Sequence, residues 1–173
     1  SYSYIGPKLT YPIYYDGTIG QAKRHLTKTA EKINEKYSDV KAYISVNKAL
    51  VTQASAAIPI VPLYFAILYK VMKAQGTHEG CIEQISRLFH EKLFVEKPVT
   101  DEQGRIRMDD WELSDEVQDK VMECWKNVTT ENVTELSDID GYWQDFYQMF
   151  GFHLDGVDYA KDVDLEIAIP SLE

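Results

Sequence analysis

Residues 17–46, "GTIGQAKRHLTKTAEKINEKYSDVKAYISV", decide the fold. From Thr18 to Tyr37, the residues Ile19, Ala22, Leu26, Ala30, Ile33 and Tyr37 recur at spacings of three and four. That is the pattern of a helix with one apolar face. Gly17 suits the turn ahead of it, and Thr18 with Gln21 reads as a capping box. "VKAYISV" (Val40 to Val46) then reads as a strand, and upstream "SYSYIG" reads as a short strand ending at Gly6-Pro7. Strand, long helix and strand in this order have the length of a βαβ crossover, which makes the two strands parallel neighbours. A sheet this small needs partners. Because the chain opens on Ser1 inside a strand-like stretch, the rest of the sheet is expected from another piece.

Outward from this unit the chain is mostly helical. "ALVTQASAAIP" has no clear period and reads as a loop or short helix packed closely on something. A helix follows from about Pro59 to Gln75, with Pro59 and Pro62 in its first turn and Gly76 as its stop. The next spans His78 to Phe94, with Cys81, Ile82, Ile85, Leu88, Phe89 and Leu93 facing inward. The polar connection that follows is expected to hold a small hairpin around Gly104. Ser114 caps a helix to about Val128, with Val117, Val121, Met122, Cys124 and Trp125 inward, and a short helix covers Gly141 to Phe150. The tail "GVDYAKDVDLEIAIPSLE" reads as extended and acidic. No repeat or linker divides the chain, so residues 1–173 read as a single lobe.

The net charge of −10 argues against nucleic-acid binding, which needs a basic face. Charge is uneven: residues 1–100 carry 13 Lys/Arg against 8 Asp/Glu, and residues 101–173 carry 5 against 20. A basic front half could receive a phosphorylated ligand; two solvated surfaces of opposite sign explain the asymmetry equally well. Cys81 and Cys124 make no disulfide framework and read as buried, reduced thiols. The triplets at Asn127 and Asn132 match the glycosylation pattern by chance on this reading, and an intracellular compartment is expected, cytoplasmic or the mitochondrial matrix. The longest apolar run, Ala54 to Tyr69, is too short and too proline-interrupted for a membrane span.

Few stretches carry chemistry. The glycines never group as a dinucleotide or P-loop cradle. "HEGCIE" (His78 to Glu83) lacks the second histidine of a zinc motif, and His25, His90 and His153 are unclustered. Trp143, Phe146, Tyr147 and Phe150 recur at helical spacing and read as core. Tyr14 and Lys23 differ in kind. A tyrosine hydroxyl is a protonated donor at neutral pH, a nearby ammonium lowers its pKa, and such a donor suits protonation of an enolate. A packing tyrosine beside a solvated lysine is the alternative.

The blocks "SYSYIGP", "YYDGTIGQAK", "SVNKALVTQASAAIPIVPLY", "KVMKAQGTHEGCIEQI", "DDWEL" and "GYWQDF…GFHLDGVDY" resemble, in order, the C-terminal part of the trans-2-enoyl-CoA reductases and of the related enoyl-[acyl-carrier-protein] reductases. The resemblance implies an α/β fold, the C-terminal part of a Rossmann-like, short-chain-reductase-type architecture. It would be mostly helical, with two or three strands that complete a parallel sheet supplied by an N-terminal half. It also implies that Tyr14 donates a proton to the substrate, with Lys23 supporting it and holding the nicotinamide ribose. Tyr4 would contact the thioester carbonyl, Leu50, Val51 and Thr52 would contact the cofactor, and the helix after them would cover the acyl chain. The implied reaction is NADH-dependent reduction of an enoyl-CoA or enoyl-ACP double bond, inactive without the N-terminal NADH-binding half, which a separate polypeptide would carry. The alternative from a different class is a non-catalytic structural subunit of a larger complex. Acyl length, carrier and the choice of NADH over NADPH are left open.

Overall fold

A computed structural model describes residues 1–164 and 166. Helix α2 (Thr18–Lys36) connects strand β1 (Tyr2–Ser3) to strand β2 (Ser45–Val46). The strands pair in parallel, Tyr2 opposite Ser45 and Ser3 opposite Val46. A third strand, β3 (Ile106–Arg107), joins the far side of β2, also parallel, in the order β1-β2-β3. The βαβ unit therefore forms, but β2 is shorter than Val40 to Val46. Upstream, the Asn34 side chain binds both backbone groups of Ala42, at 2.8 and 2.7 Å, and replaces a strand partner there. The capping box is absent: Gly17 is the N-cap, no side chain caps the helix, and Thr18 lies within it. Gly20 explains the tight start, because a Cβ there would overlap the Tyr15 carbonyl.

Between β2 and β3 the chain forms α3 (Gln53–Ala56), α4 (Val61–Gln75) and α5 (Cys81–Arg87), the last continuing as a π-helical segment, Leu88–Leu93. Helix α4 is apolar on nearly every face, so it is buried on nearly every face, with Val61, Tyr64, Phe65, Ile67, Leu68 and Met72 inaccessible or almost so. Pro59 lies ahead of α4, and Pro62 occupies its first turn. After β3, α6 (Asp115–Asn127), α7 (Val133–Leu136) and α8 (Ile139–Gln148) complete the fold, and α6 and α8 pack on α4. Ser114 caps α6, accepting the Val117 N–H.

Four further expectations are corrected. Helix α5 starts at Cys81, not His78, and Cys81 and Ile82 face solvent, Ile82 at 76% exposure. The buried face of α5 is polar instead. Arg87 donates to Glu79 at 2.6 and 2.8 Å, to Met108 O at 2.9 Å and to Asp110 at 2.9 Å, and this ion pair turns the apolar residues outward. Cys124 is only half-buried. The turn at Gly104 closes through Asp101 N–H to Arg105 O at 2.8 Å, but its second arm pairs parallel with β2, so no hairpin forms. On α8, Tyr142 is the buried ring, whereas Trp143, Tyr147 and Phe150 are exposed; Trp143 and Tyr147 lie tilted against each other, and the half-buried Phe146 meets Trp143 and Phe150 edge-on. The end of the acidic tail lies outside the described residues.

Candidate active site

Tyr4 follows directly on strand β1, and Gly6, with a φ of 73°, turns the chain two residues later. A side chain there would also stand 2.6 Å from the Tyr4 hydroxyl. A 3-10 turn (Lys8–Thr10) and helix α1 (Tyr11–Tyr14) then bring Tyr14 back against Tyr4, ring edge to ring face, centroids 4.9 Å apart. Lys23, on the second turn of α2, extends over both rings, with Nζ 4.7 Å from the Tyr14 centroid and 5.4 Å from that of Tyr4, and donates to the Tyr4 carbonyl oxygen. From β2, the chain continues through residues 47–52 to Thr52, which caps α3 in a reciprocal box with Ser55.

These segments enclose a cleft of about 360 Å³ lined by Tyr4, Tyr14, Leu50 and Thr52, with Ile58 and Phe65 as apolar wall. Val51 is turned away from it, its N–H bonded to the Tyr69 hydroxyl at 3.1 Å. A larger cleft of about 470 Å³ runs along α2 past Lys23, Arg24 and Lys28; Ser3 and Tyr14 border both. The smaller one gathers more of the candidate groups, and Lys23 opens on the larger. Tyr4, Leu50 and Thr52 thus meet Tyr14 in one cleft and Lys23 reaches its ring from the other, while Val51 does not join them.

Burial sets the protonation of this site. It pushes the Lys23 ammonium down to about 8 and the Tyr14 hydroxyl up. The expected lowering of Tyr14 by Lys23 is not seen, because the ammonium lies over the ring face and burial dominates. Tyr4 is raised further: burial comes first, then the charge of Glu112, to which its hydroxyl donates at 2.9 Å. Glu112 is a group the sequence reading missed. It is fully buried and accepts from the Tyr4 and Tyr64 hydroxyls through Oε1, at 2.9 and 2.7 Å, and from the Ala49 N–H through Oε2 at 2.7 Å. Lys48 is also missed: it is buried, donates to the Ala49 carbonyl at 2.9 Å, lies over the Tyr69 ring, and is held by burial near 8. Neither shows in periodicity, since a buried charge and a solvated one have the same letter. Among the described residues no three His, Cys, Asp or Glu side chains are placed to hold a metal ion, and Glu79 of "HEGCIE" is engaged by Arg87. No described helix is long and apolar enough to cross a membrane.

Residues 1–94 match the family model for the trans-2-enoyl-CoA reductase catalytic region. The chain belongs to that family. The Clostridium perfringens trans-2-enoyl-CoA reductase [NADH] is 59% identical over 95% of this chain and 43% of its own length. The Cytophaga hutchinsonii enoyl-[acyl-carrier-protein] reductase [NADH] is 56% identical over 99% of this chain and 44% of its own. The Treponema denticola trans-2-enoyl-CoA reductase, solved in complex with NAD, superposes with a TM-score of 0.90 at 50% identity, covering 94% of this chain and 41% of that one. The chain therefore spans less than half the length of these relatives.

Residues 100–163 match a second family model, described as the enoyl reductase FAD binding domain. Their apolar faces are spent on α4, through Val117, Val121 and Tyr142. Among the clefts they line are a polar hollow of about 330 Å³ with Lys73, Ser137 and Asp138, and the charged rim of the α2 cleft at Arg105 and Arg107. Neither of these two offers the flat apolar walls of an isoalloxazine site, so neither fits a flavin. The tyrosine cleft fits the nicotinamide end of a dinucleotide better, with hydroxyls and an apolar wall converging. The pyrophosphate end has no cradle on α2, because the glycines at its N-terminus abut the Pro12, Ile13 and Tyr15 carbonyls.

Proposed function

We propose that this chain supplies the proton-donor and nicotinamide-side part of an NADH-dependent reductase of trans-2-enoyl thioesters, carried on CoA or acyl-carrier protein. The observation that carries the reading is the convergence of Tyr4 and Tyr14 on one cleft walled by Leu50 and Thr52, with Lys23 reaching over both rings from the adjoining cleft. The relatives named for NADH and enoyl thioesters support it. When bound, NADH supplies hydride to the β-carbon of the double bond. Lys23 is placed to hold the nicotinamide ribose hydroxyls, its ammonium already within reach of both tyrosine rings.

Of the two tyrosines, Tyr14 is the better acid. The Tyr4 proton is committed to a buried carboxylate that raises its pKa, whereas the Tyr14 hydroxyl has no such partner among the described residues. Tyr14 therefore protonates the α-carbon, and Tyr4 faces the thioester carbonyl, where an O–H aimed at the enolate oxygen stabilises the charge as it develops. Ile58 and Phe65 take the first carbons of the acyl chain. The adenine half of NADH is held by the rest of the reductase fold.

The test is to assemble that complete protein and supply crotonyl-CoA with NADH deuterated at the transferable position. Deuterium is expected at the β-carbon of butyryl-CoA and a solvent proton at the α-carbon. Absence of label from the β-carbon refutes the assignment.

A further inference from the structure

The carboxylate that holds Tyr4 also holds the opposite wall of the cleft. Glu112 comes from the turn between β3 and α6, remote in sequence from both, and has no access to solvent. Its Oε1 takes the Tyr4 hydroxyl and its Oε2 takes the backbone N–H of Ala49, the residue just before Leu50. One side chain thus sets the separation between the strand-end tyrosine and the 50–52 segment. The third donor, Tyr64, shares Oε1 with Tyr4 and is itself fixed by Gln118, whose amide contacts the Tyr64 hydroxyl at 3.3 Å and the Glu112 carbonyl at 2.6 Å.

This sharing has a chemical consequence. A phenol has a single proton, so Tyr4 cannot donate to Glu112 and to a thioester carbonyl at once. Turning toward a substrate removes one of three donors from the carboxylate. An unsatisfied buried carboxylate would oppose that turn strongly. Here Tyr64 still occupies Oε1 and Ala49 still occupies Oε2, so neither oxygen is stranded.

We propose that Glu112 is the positioning residue of the reductase site, spacing Tyr4 from the 50–52 wall and releasing the Tyr4 hydroxyl to the substrate while Tyr64 and Ala49 keep the carboxylate satisfied. This rests on the reductase reading above for the identity of the substrate, but not for the hydrogen bonds. Glu112 touches neither substrate nor cofactor and acts through Tyr4.

Two measurements test it. In the complete reductase, Glu112→Ala is expected to lower kcat on the order of 10²-fold, the scale of a misplaced reacting group, with the KM for crotonyl-CoA changed far less. Because Glu112 works through Tyr4, adding Tyr4→Phe to Glu112→Ala loses little beyond the larger single effect. Glu112→Gln, which keeps the shape and one acceptor, recovers part of the loss. Losses that multiply in the double variant, or wild-type kcat in Glu112→Ala, overturn the proposal. If Glu112→Ala does not fold, the cycle is run with Glu112→Gln on the same criterion.

The second measurement needs no turnover. Proton NMR of this chain is expected to show slowly exchanging hydroxyl protons for Tyr4 and Tyr64, assigned by Tyr→Phe replacement and both displaced by Glu112→Gln. A Tyr4 signal indifferent to that change also overturns the proposal. If the wild-type protein reduces no enoyl thioester but the hydroxyl signals behave as stated, the substrate assignment fails and the carboxylate's hold on Tyr4 stands.

Discussion

Tyr14→Phe separates chemistry from stability more cleanly than any other change at this site. The ring is buried at 8% exposure and meets Tyr4 edge to face, and phenylalanine keeps both features. The lost hydroxyl has no hydrogen-bond partner among the described residues, so folding stability changes by only about 0.5 kcal/mol or less. If that hydroxyl is the general acid, kcat falls by ~10²–10⁴-fold, a barrier increase of about 3–5 kcal/mol. Tyr4→Phe makes the contrast. It deletes an O–H donated to a buried carboxylate, worth ~1.5 kcal/mol at the low end because two donors remain. In a domain of this size that lowers Tm by roughly 3–6 °C. The assay is NADH oxidation with crotonyl-CoA by the complete reductase, beside thermal denaturation of both variants. Retention of activity within about threefold in Tyr14→Phe is far below the general-acid scale and refutes the reasoning.

Three further outcomes follow from the same geometry. Lys23 is charged below about pH 8 and neutral above it, so NADH affinity measured by fluorescence titration is expected to weaken as pH rises through that value. Lys23→Arg, with its permanent charge, keeps the profile flat. Arg87→Met leaves Glu79 buried without its partner and is expected to cost ~3–5 kcal/mol, read as a fall in Tm; adding Glu79→Gln restores most of it. A cost near zero shows that the pair does not stabilise the packing of α5. Ile60, a β-branched residue at φ 64° with an exposed side chain, is strained at the head of α4, so Ile60→Gly raises stability by about 1 kcal/mol in denaturant melts.

The helix of residues 18–36, its flanking parallel strands, the cap at Ser114 and the break at Gly76 were all legible in the sequence. Each depends on interactions between near neighbours, or on a period that the chain carries locally. Periodicity misled where partners came from far away. Ile82 and Trp143 fall on plausible apolar stripes, yet the bonds of Arg87 to Met108 and Asp110 and the packing of Tyr142 on α4 claim the inner faces of their helices. The Tyr14 and Lys23 spacing could be read as a pair, but not the direction of Tyr14's pKa. Burial raises it, and burial belongs to the whole fold.

What the sequence determined by itself is the βαβ unit and the family, because both reside in contiguous blocks of residues. What only the tertiary structure decided is which polar groups lost their water. Glu112 lies 108 residues from Tyr4 and 63 from Ala49, and it became the hinge-pin of the cleft because β3 and the turn after it deliver a carboxylate into a space sealed by α4. Desolvation is a sum over every atom packed around a group, so no local pattern of letters can report it.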